Sequence, residues 1–169
     1  MKKYEMLPDE SGLYRIRALI DIPQHNVKAG DPGGLIAREE NLSHDGNAWV
    51  YGDAQVCDNA RVSGNAQVSG DAWVYGDAQV YGDAQVSGNA RVYGDARITK
   101  TSDYIVFKNF WSSGRYFTWT RSNNMWLVGC FYGTGEELIK KAYADSERSG
   151  REYERVVKYV ESILEDEEK

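Results

Sequence analysis

Cysteine and histidine are scarce in this chain, with two of each among 169 residues, and long apolar runs are missing altogether. Cys57 and Cys130 lie in unrelated segments, so no disulfide framework is expected and a reducing cytoplasm is the simplest setting. No apolar stretch reaches the roughly eighteen residues that a membrane helix needs, so no membrane partner is expected. Lys2 and Lys3 are followed by no apolar core, so the N-terminus does not read as a signal peptide. Net charge is a mild −6, which disfavours non-specific binding to a nucleic-acid backbone, and no direct DNA binding is expected. What remains, 41% apolar and 27% charged residues, is ordinary for a soluble globular chain.

What is abundant is a six-residue repeat. Alanine falls at 48, 54, 60, 66, 72, 78, 84, 90 and 96, and an aliphatic residue, from Val50 to Ile98, stands two positions after each. Gly-Asp or Gly-Asn pairs separate the hexads, except at Asp58-Asn59, where the two residue types next most tolerant of a left-handed corner appear. In Ala-x-Val the first and third residues point to one side of a strand. Glycine then turns the corner, because it adopts positive φ without steric cost. Three such sides close a triangular coil of eighteen residues with alanine and valine inside. Antiparallel hairpins would need nine four-residue strands of identical pattern, and disordered tracts lack an aliphatic residue in strict register. The hexads make three coils. Ile36 and Leu42 in the alanine phase, with Asn41 and Asn47 in the corner phase, add most of a fourth.

Residues eighteen apart should stack. Trp49, Gln67 and Gln85 form one outer row, Gln55, Trp73 and Arg91 a second, and Arg61, Gln79 and Arg97 a third. Cys57, Tyr75 and Tyr93 run beside the second. Trp73, Tyr75, Tyr93 and Arg91 are therefore candidate subunit contacts, because exposed aromatics on one face argue for a partner.

The Val50–Ala54 spacing and its repeats resemble the hexapeptide-repeat family of left-handed parallel β-helices. The resemblance implies the left hand, an exception to the usual right-handed crossover, and a homo-oligomer, usually a trimer. Enzymes of that family are mostly acyltransferases with a histidine between subunits and a loop that leaves the coil. No insertion interrupts these hexads, and His44, in the valine phase, suits a capping or buried role better than a general base. Zinc enzymes of the same fold need three histidines, and His25 and His44 cannot supply them. Cys130 lies in an aromatic strand and reads as structural and buried. The corner aspartates alternate with asparagine for the sake of the turn and do not read as a calcium site. No catalytic residue, metal site or cofactor is expected.

The flanks complete a mainly β chain. Residues 1–35, with a strand over Leu13–Ile20 and a loop over Ala29–Gly34, form an N-terminal cap. Residues 36–101 form the β-helix. Residues 102–169 form a small α+β domain, a β-meander plus two helices. Its three strands span Asp103–Phe110, Arg115–Arg121 and Met125–Cys130. Thr134 with Glu137 is a capping box, Ser149 with Glu152 a second, and Val156, Val160, Ile163 and Leu164 make a helical stripe. The acidic end, Glu165–Glu168, reads as frayed. The segment LYRIRALIDI, VKAGDPGGLIAREENLSHDGNAWVYGDA, the hexads and the ending Gly129–Thr134 together resemble uncharacterised bacteriophage and prophage proteins of Gram-positive hosts. That resemblance implies a viral accessory protein in the cytoplasm of an infected cell.

The meander is rich in aromatics with arginine interleaved, and both alternating sides of Tyr116-Phe117-Thr118-Trp119 are aromatic. Trp111, Arg115, Tyr116, Trp119, Arg121 and Thr134 are the candidate ligand-binding residues, suited to a base and a phosphate. Thr134 opens a helix whose N–H groups can meet an anion, although Glu136 and Glu137 repel one. Three functions compete here. The first is a non-catalytic counter-defence protein that sequesters a small nucleotide-like signal at subunit boundaries. The second is a protein-binding or DNA-mimicking inhibitor of a host defence factor. The third is an acyltransferase-like enzyme using His44 or His25.

Overall fold

The computed structural model describes residues 1–169. Each hexad contributes one two-residue strand, because a corner pair, Gly-Asp, Gly-Asn or once Asp58-Asn59, interrupts the extended backbone after every fourth residue. These nine strands, β4–β12, are Trp49–Val50, Gln55–Val56, Arg61–Val62, Gln67–Val68, Trp73–Val74, Gln79–Val80, Gln85–Val86, Arg91–Val92 and Arg97–Ile98. They follow β1 (Tyr4–Pro8), β2 (Tyr14–Ala18) and β3 (Pro32–Ile36). Strands eighteen residues apart pair in parallel: Trp49, Gln67 and Gln85 stack, as do Gln55, Trp73 and Arg91, and Arg61, Gln79 and Arg97. Every repeat alanine and every repeat valine, with Ile98, is wholly buried. The column is therefore held by small and β-branched side chains in layers, and its corner glycines at 52, 64, 70, 76, 82, 88 and 94 all have positive φ.

The corners carry a second cohesive device. Asn47 donates to Asn65 and Asn65 to Asp83, each at 3.1 Å, and Asn59 donates to Asp77 at 3.2 Å. An asparagine placed one coil before an asparagine or aspartate gives these three steps a side-chain hydrogen bond, whereas Asp53 over Asp71 and Asp77 over Asp95 stack carboxylate on carboxylate.

The phase expected for Ile36 and Leu42 needs correction. Ile36 stands over Val56 and Leu42 over Val62, so both occupy the valine layer rather than the alanine layer. Two extra residues, His44-Asp45, bulge from this first coil: the Ser43 N–H bonds the Val62 carbonyl, while the Asn47 N–H already bonds Gly64. His44 is accordingly outside the column, not in its valine layer.

The N-terminal cap contains a strand the pattern does not announce. β1 and β2 pair antiparallel, β2 pairs antiparallel with β3, and β3 pairs parallel with β5, so one sheet runs β1-β2-β3-β5-β8-β11. Lys3 and Tyr4 close the open coil. The buried Lys3 ammonium donates to the Ala48 carbonyl at 2.7 Å, and the Tyr4 hydroxyl donates to Leu42 at 2.7 Å. Trp49, first in its expected outer row, is buried beneath Tyr4.

Four strands, not three, form the terminal sheet: β13 (Tyr104–Lys108), β14 (Tyr116–Thr120), β15 (Met125–Val128) and β16 (Phe131–Gly133). Gly129, with positive φ, and Cys130 make a turn between Val128 and Phe131, so Cys130 is exposed at a bend rather than buried in a strand. Helix α1 (Gly135–Asp145) is capped by Thr134 as expected, whereas α2 (Glu147–Glu167) is capped by Ser146 and not by Ser149. Ser149 instead accepts a hydrogen bond from the Trp111 indole at 3.1 Å. The acidic end is helical through Glu167, which pairs with Arg121. The helices pack Leu138, Ala142, Tyr153, Val157 and Val160 against Phe117, Trp119 and Trp126 on one face of the sheet, and Thr118 faces the β-helix on the other.

Candidate functional site

The last coil has no further coil above it to accept its backbone N–H groups, and an unmatched edge invites unwanted pairing. Side chains of the terminal domain seal it. Thr118 accepts from the Arg91 N–H at 3.0 Å, Ser122 from Arg97 at 2.8 Å, and the Asp103 carboxylate from Thr99 at 2.8 Å and Lys100 at 3.2 Å. Asn123 bonds Asp95 at 2.9 Å. The sheet meets the column along this line, with β14 against β11.

Beside this contact a cleft of about 530 Å³ opens, lined by Asp71, Trp73, Asn89, Arg91, Arg115 and Tyr116. Gly129 and Cys130 complete its floor. A side chain at Gly129 would come within 3.1 Å of the Arg115 guanidinium, so the turn leaves that group its room. The Arg91 guanidinium lies over the Trp73 ring, 4.6 Å from its centroid, and Tyr75 meets Trp73 edge-on with centroids 6.2 Å apart. Neither Arg91 nor Arg115 is ion-paired, although eleven ion pairs occur elsewhere in the molecule. Two free guanidiniums against one carboxylate give the cleft a local positive balance in an acidic chain. A second hollow of about 580 Å³ shares Arg115, Gly129 and Cys130 with it and continues toward Tyr132 and Tyr153.

The ten residues expected to bind a ligand or a subunit separate into two sets. Arg115 and Tyr116, from the ligand candidates, meet Trp73 and Arg91, from the subunit candidates, in this one cleft. The others have different employment. Trp119 is wholly buried with its indole donating to Asn124 at 2.8 Å, and Trp111 is buried against Tyr153, so both are core residues. Arg121 is held by Glu167 and donates to the Ser102 carbonyl at 3.0 Å. Thr134 is occupied with Glu137, whose carboxyl sits below the usual range because the Thr134 N–H bonds it. Tyr75 and Tyr93, 4.6 Å apart, run into Tyr132 of the same chain at 5.0 Å, so that part of the row serves docking of the terminal domain. Asp71 and Asn89 lie at the mouth unannounced; they are corner residues, and their phase relative to Trp73 and Arg91 was the one available signal.

Elsewhere, a hollow of about 600 Å³ lies beside the His44 bulge, lined by Glu39, Glu40, Ser43, His44, Arg61 and Gln79 among others. Both ring nitrogens of His44 are engaged. The Lys3 N–H can only donate, so Nδ1 accepts from it at 3.0 Å, and Nε2 donates to Glu39 at 2.8 Å. The ring stacks on Tyr4 at 4.2 Å.

Fold and repeat together define the class: this is a parallel β-helix repeat protein with a docked α+β domain. Residues 54–67, 66–82 and 84–99 match the family model described as YdcK Beta solenoid repeat, so the hexads are similar to that repeat. No curated protein matches the chain. No helix is long and apolar enough to cross a membrane.

Proposed function

We propose that the chain is a non-catalytic binding protein that holds a small anionic, nucleotide-like ligand in the cleft between the β-helix and the terminal sheet. The observation that carries this reading is the convergence of two unpaired guanidiniums, Arg91 and Arg115, with the aromatic rings of Trp73 and Tyr116. Guanidinium forks match phosphate oxygens, and aromatic or guanidinium planes stack on a base. The absence of catalysis is supported by His44, whose nitrogens are both committed to structural partners. In the setting implied by the flanks, the protein withdraws a nucleotide-like defence signal inside an infected bacterium, and a trimer would carry three such clefts.

The test is retention. Full-length protein is incubated with extract from bacteria running a nucleotide-signalled defence, washed and heat-denatured. Released material is then read by ultraviolet absorbance and mass spectrometry. A released nucleotide that is lost in an Arg91→Ala/Arg115→Ala variant is the expected result. A folded wild-type protein that retains none, or a double variant that retains as much, overturns the reading.

A further inference from the structure

The three corner rows of the β-helix are not equivalent. In two of them asparagine precedes aspartate along the stack, and the amide donates to the acceptor in the coil that follows, at 3.1–3.2 Å. In the third row the order is Asp53, Asp71, Asn89. Asp53 is held by Arg15 at 3.2 Å, but no hydrogen bond joins Asp71 to Asn89, and neither side chain has another protein partner. The Asn89 backbone N–H, on the last coil, also meets no protein acceptor. This is the row that lines the cleft.

The cleft therefore presents, beside Trp73 and the two guanidiniums, a free carboxylate next to a free carboxamide and a free backbone donor. A carboxylate offers only acceptors. It pairs well with a heterocycle edge that carries two adjacent donors, and it repels a ring nitrogen that carries a lone pair. Guanine has that double-donor edge at N1–H and the 2-amino group, with the O6 acceptor alongside. Adenine presents a lone pair at N1. Asn89, through its amide or its backbone N–H, supplies the donor that O6 requires.

From this juxtaposition we infer that the cleft selects guanine over adenine: Asp71 accepts from the guanine N1–H and 2-amino group, Asn89 donates to O6, and Arg91 and Arg115 hold the phosphate. The inference rests on the nucleotide reading above and adds the identity of the base. Hypoxanthine, which keeps N1–H and O6 but lacks the 2-amino group, falls between the two.

The experiment is calorimetric titration of the full-length protein with GMP, IMP and AMP at low salt, on wild type, Asp71→Asn and Asp83→Asn. Asp83→Asn removes a corner carboxylate from a row outside the cleft, keeps an acceptor for Asn65, and serves as control. Each charge-assisted hydrogen bond lost costs about tenfold or more in affinity. Expected affinities fall in the order GMP, IMP, AMP, with at least about tenfold between the first and last. Asp71→Asn should remove that preference while Asp83→Asn keeps it. Thermal melts confirm that both variants fold, as surface corner substitutions should. Equal binding of all three nucleotides, a preference for AMP, or a guanine preference untouched by Asp71→Asn overturns the inference and leaves nucleotide binding standing. No binding of any nucleotide, with none retained from extract, overturns both.

Discussion

Arg91 stands directly above Trp73 in the β-helix, one coil further along the chain, with its guanidinium 4.6 Å from the ring centroid. The register that stacks valine on valine inside the column stacks these two side chains outside it. Each coil is locked to the next by backbone hydrogen bonds, so the arginine is positioned before any ligand arrives.

That arrangement predicts a separation of effects. Arg91 is exposed, and an exposed cation–π contact is worth about 0.5–1 kcal/mol. Arg91→Ala should lower the unfolding free energy by no more than that, while ligand affinity falls by tenfold or more, about what one charged hydrogen bond contributes. Urea titration and calorimetry on the same preparation distinguish the two. A large stability loss with unchanged binding would show the residue to be structural.

The narrow interior predicts intolerance of volume. Ala78 is wholly buried, and the adjoining strand β9 pairs with the coils on either side. Ala78→Leu forces extra methylenes into a close-packed layer, at a cost of about 1–3 kcal/mol or more. Equilibrium unfolding measures it. A change smaller than about 0.5 kcal/mol would mean the column is loosely filled.

Two corner glycines of equal backbone strain provide a test of domain docking. Gly88 and Gly94 have φ of +63° and +68°, but a methyl group at Gly88 meets open space, whereas at Gly94 it meets the Tyr132 hydroxyl. Gly88→Ala should cost only the left-handed penalty of about 1–2 kcal/mol. Gly94→Ala should cost more and also detach Tyr132 from Tyr93. Thermal melts compare the pair, and equal losses would separate Tyr132 from the docking surface.

Lys3 predicts a pH dependence. Burial lowers its ammonium to about 8, and only partly does Asp45 oppose this. Below that pH both native and unfolded chains carry the charge, and the burial penalty is fully present. Between about 8 and the unfolded value near 10.4 the native lysine has released its proton while the unfolded one has not. The unfolded state then binds more protons, so stability rises with pH by an amount on the order of 1–2 kcal/mol, allowing for screening by solvent. Tyr4, raised by burial, acts in the opposite direction only above about pH 10. Chemical denaturation at several pH values from about 7.5 to about 9.5, which cover the onset and much of this window and stay below the range where Tyr4 acts, should show a rise in wild type that Lys3→Met lacks. Parallel profiles would contradict it.

The column was legible because its rule is local and strict. Alanine, valine and glycine each stand where one six-residue geometry requires them, and the three outer rows stack as their spacing says. Where the rule relaxes, legibility ended. The His44-Asp45 bulge shifts Ile36 and Leu42 by two positions, and only the pairing with Val56 and Val62 reveals it. β1 lacks clear alternation, and β16 is hidden behind a two-residue turn at Gly129-Cys130. The cleft was half legible. Its four aromatic and arginine members were each singled out by composition, but in two separate groups, because the docking of two non-adjacent segments is a tertiary fact. The same blindness promoted Trp119, whose burial under α1 and α2 no local pattern discloses.

Four of the five tryptophans, Trp49, Trp111, Trp119 and Trp126, are buried, and Trp73 alone is part-exposed, on the wall of the cleft. Titration of the intrinsic fluorescence with a nucleotide therefore reports on the cleft itself. Saturable quenching in wild type, lost in Trp73→Phe and in Arg91→Ala/Arg115→Ala, is the predicted result. Quenching that survives in Trp73→Phe, or a flat titration in wild type, would contradict the proposal that this cleft is where the protein acts.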